Sequence, residues 1–74
     1  MSRASGLQKR SLSLSGHRTS VALEAEFWGA LEQHAAAQGI TLSALIERID
    51  TNRDPQRPLA SALRVHALLG PPKS

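Results

Sequence analysis

Apolar and polar residues alternate along two short stretches near the amino terminus. In residues 18–23, one phase holds β-branched or apolar side chains and the other holds the polar or small residues Arg18, Ser20 and Ala22. Side chains of a strand point alternately to its two faces, so this stretch is predicted to be a β-strand with one buried face. Residues 11–15 read Ser-Leu-Ser-Leu-Ser and are followed by Gly16 and His17. They fit either a second strand, joined through a type II′ turn at Gly16-His17, or an extended arm.

From Glu24 onward the spacing of apolar residues becomes helical. The first predicted helix ends before Gly39, and its apolar face is made by Phe27, Trp28, Leu31 and Ala35. Thr41 is predicted to cap a second helix, whose apolar stripe is made by Leu42, Leu45, Ile46 and Ile49. A third helix is predicted over residues 59–69, between Pro58 and the stop signal Gly70-Pro71-Pro72.

A lone strand would leave its backbone N–H and C=O groups without partners. Two copies of the chain meet this need when they pair their strands antiparallel across a two-fold axis. The predicted fold class is therefore mostly α with one short β-strand per chain, in an intertwined dimer built around a two-stranded antiparallel ribbon. Residues 1–10 are predicted to be a disordered basic arm, residues 11–70 the folded domain with an additional C-terminal helix, and residues 71–74 a tail.

The small size of the chain strengthens the expectation of a dimer. Its 74 residues include no cysteine, and its aromatic residues are Phe27 and Trp28. A chain this short buries little apolar surface by itself, and neither a disulfide nor a large aromatic core can stabilise it further. Association of copies is a common remedy.

Positive charge is concentrated at the start of the chain. The chain has nine Lys and Arg residues against six Asp and Glu residues, for a formal net charge of +3. The first acidic residue, Glu24, follows the cationic residues Arg3, Lys9, Arg10 and Arg18. A basic segment of this kind suits a polyanion such as DNA, and the alternative is a tail whose charge serves only solubility.

Three segments carry a resemblance to a known family: Gly16-His17-Arg18-Thr19-Ser20 with Glu26-Phe27-Trp28, then Gly39-Ile40-Thr41-Leu42-Ser43, then Ser61-Ala62-Leu63-Arg64-Val65. In order and spacing they resemble the strand, the inter-helix turn and the final helix of ribbon-helix-helix DNA-binding domains, and more narrowly a small bacterial subfamily with a Gly-His-Arg-Thr-Ser strand. The resemblance covers about residues 9–69. It departs from the family at Ala22, where a polar residue is more typical, and at His66, which interrupts an apolar run.

The resemblance implies a homodimer that lays its ribbon in the major groove of double-stranded DNA and acts as a sequence-specific transcriptional regulator, such as a repressor. It assigns base contacts to Arg18 for guanine, Ser20 for any base edge and Ala22 for a thymine methyl group. It assigns phosphate contacts to the turn Thr41, Leu42 and Ser43, and to Lys9, Arg10 and His17. The implied dimer core consists of Val21, Leu23, Phe27, Trp28, Leu31, Leu45, Ile46 and Ile49.

Other functions have weaker support in the sequence. His17, His34 and His66 lack the spacing of a metal site, and no cofactor motif is present, so neither a metal nor a cofactor is expected. A catalytic triad could be written from Ser20, His34 and Asp50, but no nucleophile elbow accompanies it, and an enzyme is not expected. The absence of an export signal, a membrane span and cysteine favours the cytoplasm.

The main alternative is a protein-interaction module, such as an antitoxin-like or adaptor dimer that binds a protein partner through its C-terminal helix. Only Gly70-Pro71-Pro72-Lys73-Ser74 follow Leu69, so little chain is available to fold on such a partner. DNA binding is therefore the favoured prediction.

Overall fold

A computed structural model describes residues 6–70 of the chain. It contains the strands β1 (Gln8–Leu14) and β2 (His17–Leu23), followed by the helices α1 (Ala25–Gln38), α2 (Leu42–Asn52) and α3 (Leu59–Leu69). The predicted order of one strand and three helices after residue 17 is confirmed. The first five residues of the predicted arm and the predicted tail 71–74 lie outside the described residues.

The two strands form an antiparallel hairpin within one chain. Their pairing runs from Leu14 opposite His17, beside the turn, to Gln8 opposite Leu23. The two turn residues, Ser15 and Gly16, have φ angles of 52° and 83°. Positive φ at both positions is the requirement of a type I′ turn, whose twist matches that of the strands on either side.

The hairpin corrects three sequence predictions. The chain has two strands, so the prediction of one short β-strand per chain is wrong: the Ser-Leu alternation continues the apolar face of β2 and pairs with it. Three residues assigned to the disordered arm, Gln8 to Arg10, belong to β1. The turn lies one residue earlier than predicted, at Ser15-Gly16. Because β1 pairs with one edge of β2, the N–H and C=O groups on that edge have partners within the chain. A second copy of the chain is therefore not needed to pair them.

The inner face of the hairpin closes a single apolar core. Four inward-facing residues of the paired strands are buried there, namely Leu12, Leu14, Val21 and Leu23. The helices contribute the buried residues Trp28, Leu31, Ala35, Leu45, Ile46, Leu63 and Ala67. The Trp28 side chain is 1% exposed, and its indole N–H donates a 2.8 Å hydrogen bond to the Gln8 carbonyl at the open end of the hairpin. The core therefore joins both strands and all three helices.

Local signals end and begin the helices as predicted. Gly39 follows α1 in the left-handed conformation, with a φ of 71°, and its N–H reaches the carbonyls of Ala35 and Ala36. Thr41 caps α2, since its hydroxyl accepts a 3.0 Å hydrogen bond from the N–H of Ala44. Both residues make contacts within five residues of themselves, which is why sequence spacing alone identifies them.

Two histidines meet between α1 and α3. The rings of His34 and His66 lie edge to face with centroids 5.6 Å apart. His34 Nδ1 and His66 Nε2 are buried and have no hydrogen-bond partner within residues 6–70. Burial, and then the nearby His34, lower the pKa of His66 below its ordinary value. The folded state therefore favours the neutral form of His66.

The backbone conformations of Gly16 and Gly29 predict opposite effects for their substitution by alanine. Gly16→Ala should lower the free energy of unfolding by about 1–2 kcal/mol, because alanine is strained at positive φ. Gly29→Ala should raise it by roughly 0.5–1 kcal/mol, because Gly29 lies inside α1 and an added Cβ meets no atom within 4 Å. Urea denaturation measures both. Equal midpoints for Gly16→Ala and the unmodified protein would contradict this turn.

The histidine pair predicts a pH-dependent stability. The unfolded chain protonates His66 near its ordinary pKa of 6.5, whereas the folded chain does so only at lower pH. The free energy of unfolding should therefore fall as the pH is lowered from about 7.5 to 5.5, and His66→Gln should flatten this slope. His17→Gln, at an exposed site, is the control and should retain it. A slope unchanged in His66→Gln would show that His66 does not cause it.

Candidate nucleic-acid interface

The outer face of the hairpin presents six side chains to solvent. Strand alternation places Lys9, Ser11 and Ser13 of β1 opposite Ala22, Ser20 and Arg18 of β2 in the register of the hairpin. All are exposed except Ala22, which is half-buried. This outer face, defined by these six residues, combines two cations, three hydroxyls and one methyl group, and it contains no carboxylate. Its chemistry therefore suits an anionic partner with hydrogen-bonding edges.

The three predicted base-contacting residues lie together on this outer face. Arg18 Nη2 donates a 3.0 Å hydrogen bond to Ser11 Oγ on the neighbouring strand. That contact holds the guanidinium over the face, and a guanidinium has five N–H donors, so most of them stay available. Ser11 and Ser13 also belong to this face and were not among the residues predicted to contact DNA. Their signal was the alternation with Leu12 and Leu14, which becomes informative once β1 is known to be a strand.

Lys9 and Arg10, both predicted to contact phosphate, lie on opposite faces of β1. Lys9 belongs to the outer face, whereas Arg10 lies on the side of the core. The Arg10 guanidinium is 4.6 Å from the centre of the Trp28 ring and forms a 2.8 Å ion pair with Glu32. Arg10 is thus engaged in closing the open end of the hairpin.

The first turn of α2 is a second area with free backbone donors. The Thr41 hydroxyl is engaged as the helix cap, but the N–H groups of Leu42 and Ser43 have no acceptor within the helix or elsewhere in residues 6–70. Thr41 and Ser43 are exposed, and Leu42 is half-buried. His17 is exposed at the start of β2, directly before Arg18.

The turn of the hairpin is attached to α2. Glu47 Oε2 accepts hydrogen bonds from the Ser15 N–H, at 2.6 Å, and from Ser15 Oγ, at 3.3 Å. Among the described residues, no hydrogen bond links the first turn of α2 directly to the outer face. The two areas are therefore separate, and Glu47 connects the elements that carry them.

The residues predicted to form a dimer core are packed within one chain. Six of them are buried, namely Val21, Leu23, Trp28, Leu31, Leu45 and Ile46, and the other two, Phe27 and Ile49, are half-buried against the same core. Their burial needs no second copy, so their role in a dimer stays a prediction.

Both long edges of the hairpin carry unpaired backbone groups. In a hairpin with a two-residue turn, the residues beside the turn exchange hydrogen bonds, and every second pair after them does the same. The backbone groups of the six outer-face residues therefore point away from the partner strand. No other part of the chain that the structure describes bonds to them. An edge of this kind can accept a further strand.

Neither a membrane helix nor a metal site is visible in residues 6–70. No helix described there has the length and apolar character needed to cross a membrane. No three His, Cys, Asp or Glu side chains in the same part of the chain come close enough to hold a metal ion.

Comparisons with known proteins agree with this architecture. The solved structure of an uncharacterized protein from Bordetella pertussis Tohama I is similar, with a TM-score of 0.71 and 39% sequence identity. The similarity covers 89% of this chain and 56% of that one, so the present chain spans just over half the length of that protein. No curated protein shows significant similarity to the chain. A family model described as a ribbon-helix-helix domain matches residues 7–70, and the chain therefore belongs to the ribbon-helix-helix family.

Proposed function

We propose that this protein binds double-stranded DNA through the outer face of its hairpin and regulates transcription, without catalysing a reaction. The observation that carries the proposal is the outer face itself, which has two cations and three hydroxyls and lacks carboxylates on a two-stranded antiparallel ribbon. A ribbon of this width enters the major groove of B-form DNA. The family is one of DNA-binding regulators, which supports the same conclusion. Such a role would place the protein in the cytoplasm with the chromosome.

Each side chain of the outer face has a distinct use in the groove. Arg18 would donate two hydrogen bonds to O6 and N7 of guanine, and the bond from Arg18 to Ser11 restricts its orientation. Serine hydroxyls both donate and accept, so Ser11, Ser13 and Ser20 can adapt to several bases. Ala22 offers only a methyl contact to thymine. Sequence preference would therefore depend mostly on Arg18.

Phosphate contacts would position the ribbon. Lys9 lies on the outer face, where its long side chain can reach a backbone phosphate at the rim of the groove. The free N–H groups of Leu42 and Ser43 point out of the positive end of α2, which favours a phosphate oxygen. Arg10 is occupied by Glu32 and Trp28, so we assign it to hairpin stability in place of DNA contact.

We propose further that two copies associate through the free edge of β2. The unpaired N–H and C=O groups of Arg18, Ser20 and Ala22 would bond to the same groups of a second copy, with Ser20 near the two-fold axis. In the resulting four-stranded sheet the two β2 strands lie at the centre and form the two-stranded ribbon that enters the groove, and the two-fold symmetry predicts a pseudo-palindromic DNA site. This arrangement keeps each chain's hairpin intact.

Exposed apolar residues at the end of α3 favour a second candidate function, a contact with a protein partner. Leu68 and Leu69 are 78% and 75% exposed, and Val65 lies one turn before Leu69. If the protein is such an adaptor, a pull-down from its host should recover one stoichiometric partner. The Leu68→Ser variant should not recover that partner. The outer face has no part in this candidate, so DNA binding distinguishes the two.

Substitutions on the outer face should affect DNA binding in two different ways. Arg18→Gln should weaken binding to the duplex most enriched from a random library by about 5- to 150-fold and reduce the preference for that duplex. Lys9→Gln should weaken binding to all duplexes and reduce the slope of log affinity against log salt by about one. Fluorescence anisotropy at several salt concentrations measures both.

The control for these variants is Arg64→Gln, which removes the same charge at a site away from the outer face, where Arg64 pairs with Glu24 at 3.2 Å. It should retain the affinity of the unmodified protein apart from the small effect of net charge. Equal affinities for Arg18→Gln and Arg64→Gln would contradict the proposed interface. Absence of DNA binding at low salt would overturn the proposed function.

Proline substitutions should test the proposed dimer edge. Ser20→Pro removes an N–H at the free edge of β2 and no hydrogen bond of the hairpin, so it should yield a folded monomer. Ser11→Pro removes the equivalent N–H at the free edge of β1 and should leave the dimer intact. Sedimentation equilibrium measures both, with circular dichroism to establish folding. A monomeric unmodified protein at all concentrations, or a dimeric Ser20→Pro, would contradict association through β2.

A further inference from the structure

A groove opens on the side of the molecule formed by the end of α2, the following loop and α3. Its volume is about 660 Å³, within the range of roughly 300–1,000 Å³ that is common for small-molecule sites. Three arginines line it, Arg48, Arg53 and Arg57, together with apolar side chains that include Ile49, Val65 and Leu69. We call this feature the arginine groove.

We propose that the arginine groove binds a small organic anion that consists of a carboxylate and an apolar chain or ring. This inference does not depend on DNA binding, because none of the outer-face residues lines the groove. It rests on three properties of the groove: more positive charge than its carboxylates neutralise, guanidinium donors that remain free, and apolar surface exposed beside them.

The charge of the groove is only partly neutralised. Arg53 forms a 2.8 Å ion pair with Asp50, whereas Arg48 and Arg57 have no carboxylate partner within residues 6–70. The one acidic residue that lines the groove, Asp54, accepts a hydrogen bond from the Gln56 N–H through Oδ1. Arg53, the C-cap residue of α2, also offsets the partial negative charge at the end of that helix, but Arg57 lies beyond it. Its charge is available to a ligand.

The guanidinium groups are positioned and still have donors to offer. Arg48 Nη1 bonds to Gln38 Oε1 at 2.9 Å, and Arg57 Nη1 bonds to Ser61 Oγ at 3.1 Å. Arg53 Nη1 bonds to the Arg57 carbonyl at 2.7 Å, which ties the two arginines of the loop together. Each guanidinium retains further N–H groups, and a planar fork of such donors matches the two oxygens of a carboxylate.

The apolar side chains of the groove indicate the chemistry of the part of the ligand that is not the carboxylate. Val65 and Leu69 are 40% and 75% exposed, so a ligand that covers them removes apolar surface from water. Phosphate groups and sugars carry no apolar surface of this kind. A nucleotide backbone is therefore not the favoured occupant of the groove. His66 also lines the groove. Because its pKa is lowered in the folded state, it is neutral there and adds no further charge to the groove. A monocarboxylate with a medium-length alkyl chain or one ring fits these constraints.

Titration of the isotopically labelled full chain with sodium octanoate, below the concentration at which it forms micelles, tests the proposal. Nuclear magnetic resonance should show saturable shifts of backbone signals from the lining residues, and octan-1-ol should bind at least about tenfold more weakly because it lacks the charge. Absence of saturable shifts, or equal binding of octanoate and octan-1-ol, would overturn the proposed anion site.

Substitutions test the arginines and the apolar side chains of the groove separately. Arg57→Gln should weaken octanoate binding about tenfold, whereas Arg64→Gln, with the same charge change elsewhere, should leave it unchanged. Leu69→Asn should weaken octanoate binding severalfold while leaving the fold intact, since the side chain is exposed. Thermal unfolding establishes that each variant is folded. Equal affinities for Arg57→Gln and Arg64→Gln would overturn the role of the arginines, and full affinity in Leu69→Asn would overturn the apolar side.

Discussion

A two-stranded ribbon is too small to be stable in water unless an apolar layer covers one of its faces. In this protein the inner residues of the hairpin meet that requirement by packing on Trp28 and the three helices. Period-two alternation then assigns the remaining residues of both strands to the outer face, where they make no contribution to the core. The chemistry of that face is therefore free to serve binding. The same constraint that stabilises the ribbon thus separates its structural residues from its candidate functional ones.

The two ends of the hairpin are attached to the helices by different interactions. At the open end, the Trp28 indole holds the Gln8 carbonyl while Arg10 covers the ring and pairs with Glu32. At the turn, Glu47 accepts hydrogen bonds from Ser15. Attachment at both ends limits rocking of the ribbon on the core. A face that inserts into a groove benefits from such rigidity, because less conformational freedom is lost on binding.

The sequence predicts the helices but does not decide between a hairpin strand and an arm for residues 11–15, and the reason is physical. Gly39 and Thr41 act on neighbouring residues, so their spacing carries the information. The pairing of β1 with β2 depends on packing of Leu12 and Leu14 against distant helices, and the same letters also fit an arm. Lys9 and Arg10 are adjacent in sequence, and only their assignment to β1 reveals that they face opposite sides. The arginine groove was not predicted either, because its residues come from the end of α2, the loop after it and α3, which meet only in the folded chain.

Formation of the ribbon within one chain has a consequence for the behaviour of the protein at low copy number. When folding requires a strand from a second copy, dilution unfolds the protein, and its folded fraction depends on its concentration. Here the core closes without a partner, so folding and association are separate equilibria. Such a protein would remain folded at a few molecules per cell and would escape the proteases that degrade unfolded chains. If it binds DNA as proposed, the DNA site itself would bring two copies together. The occupied fraction of such sites would then be a cooperative function of protein concentration, even where the free protein is monomeric.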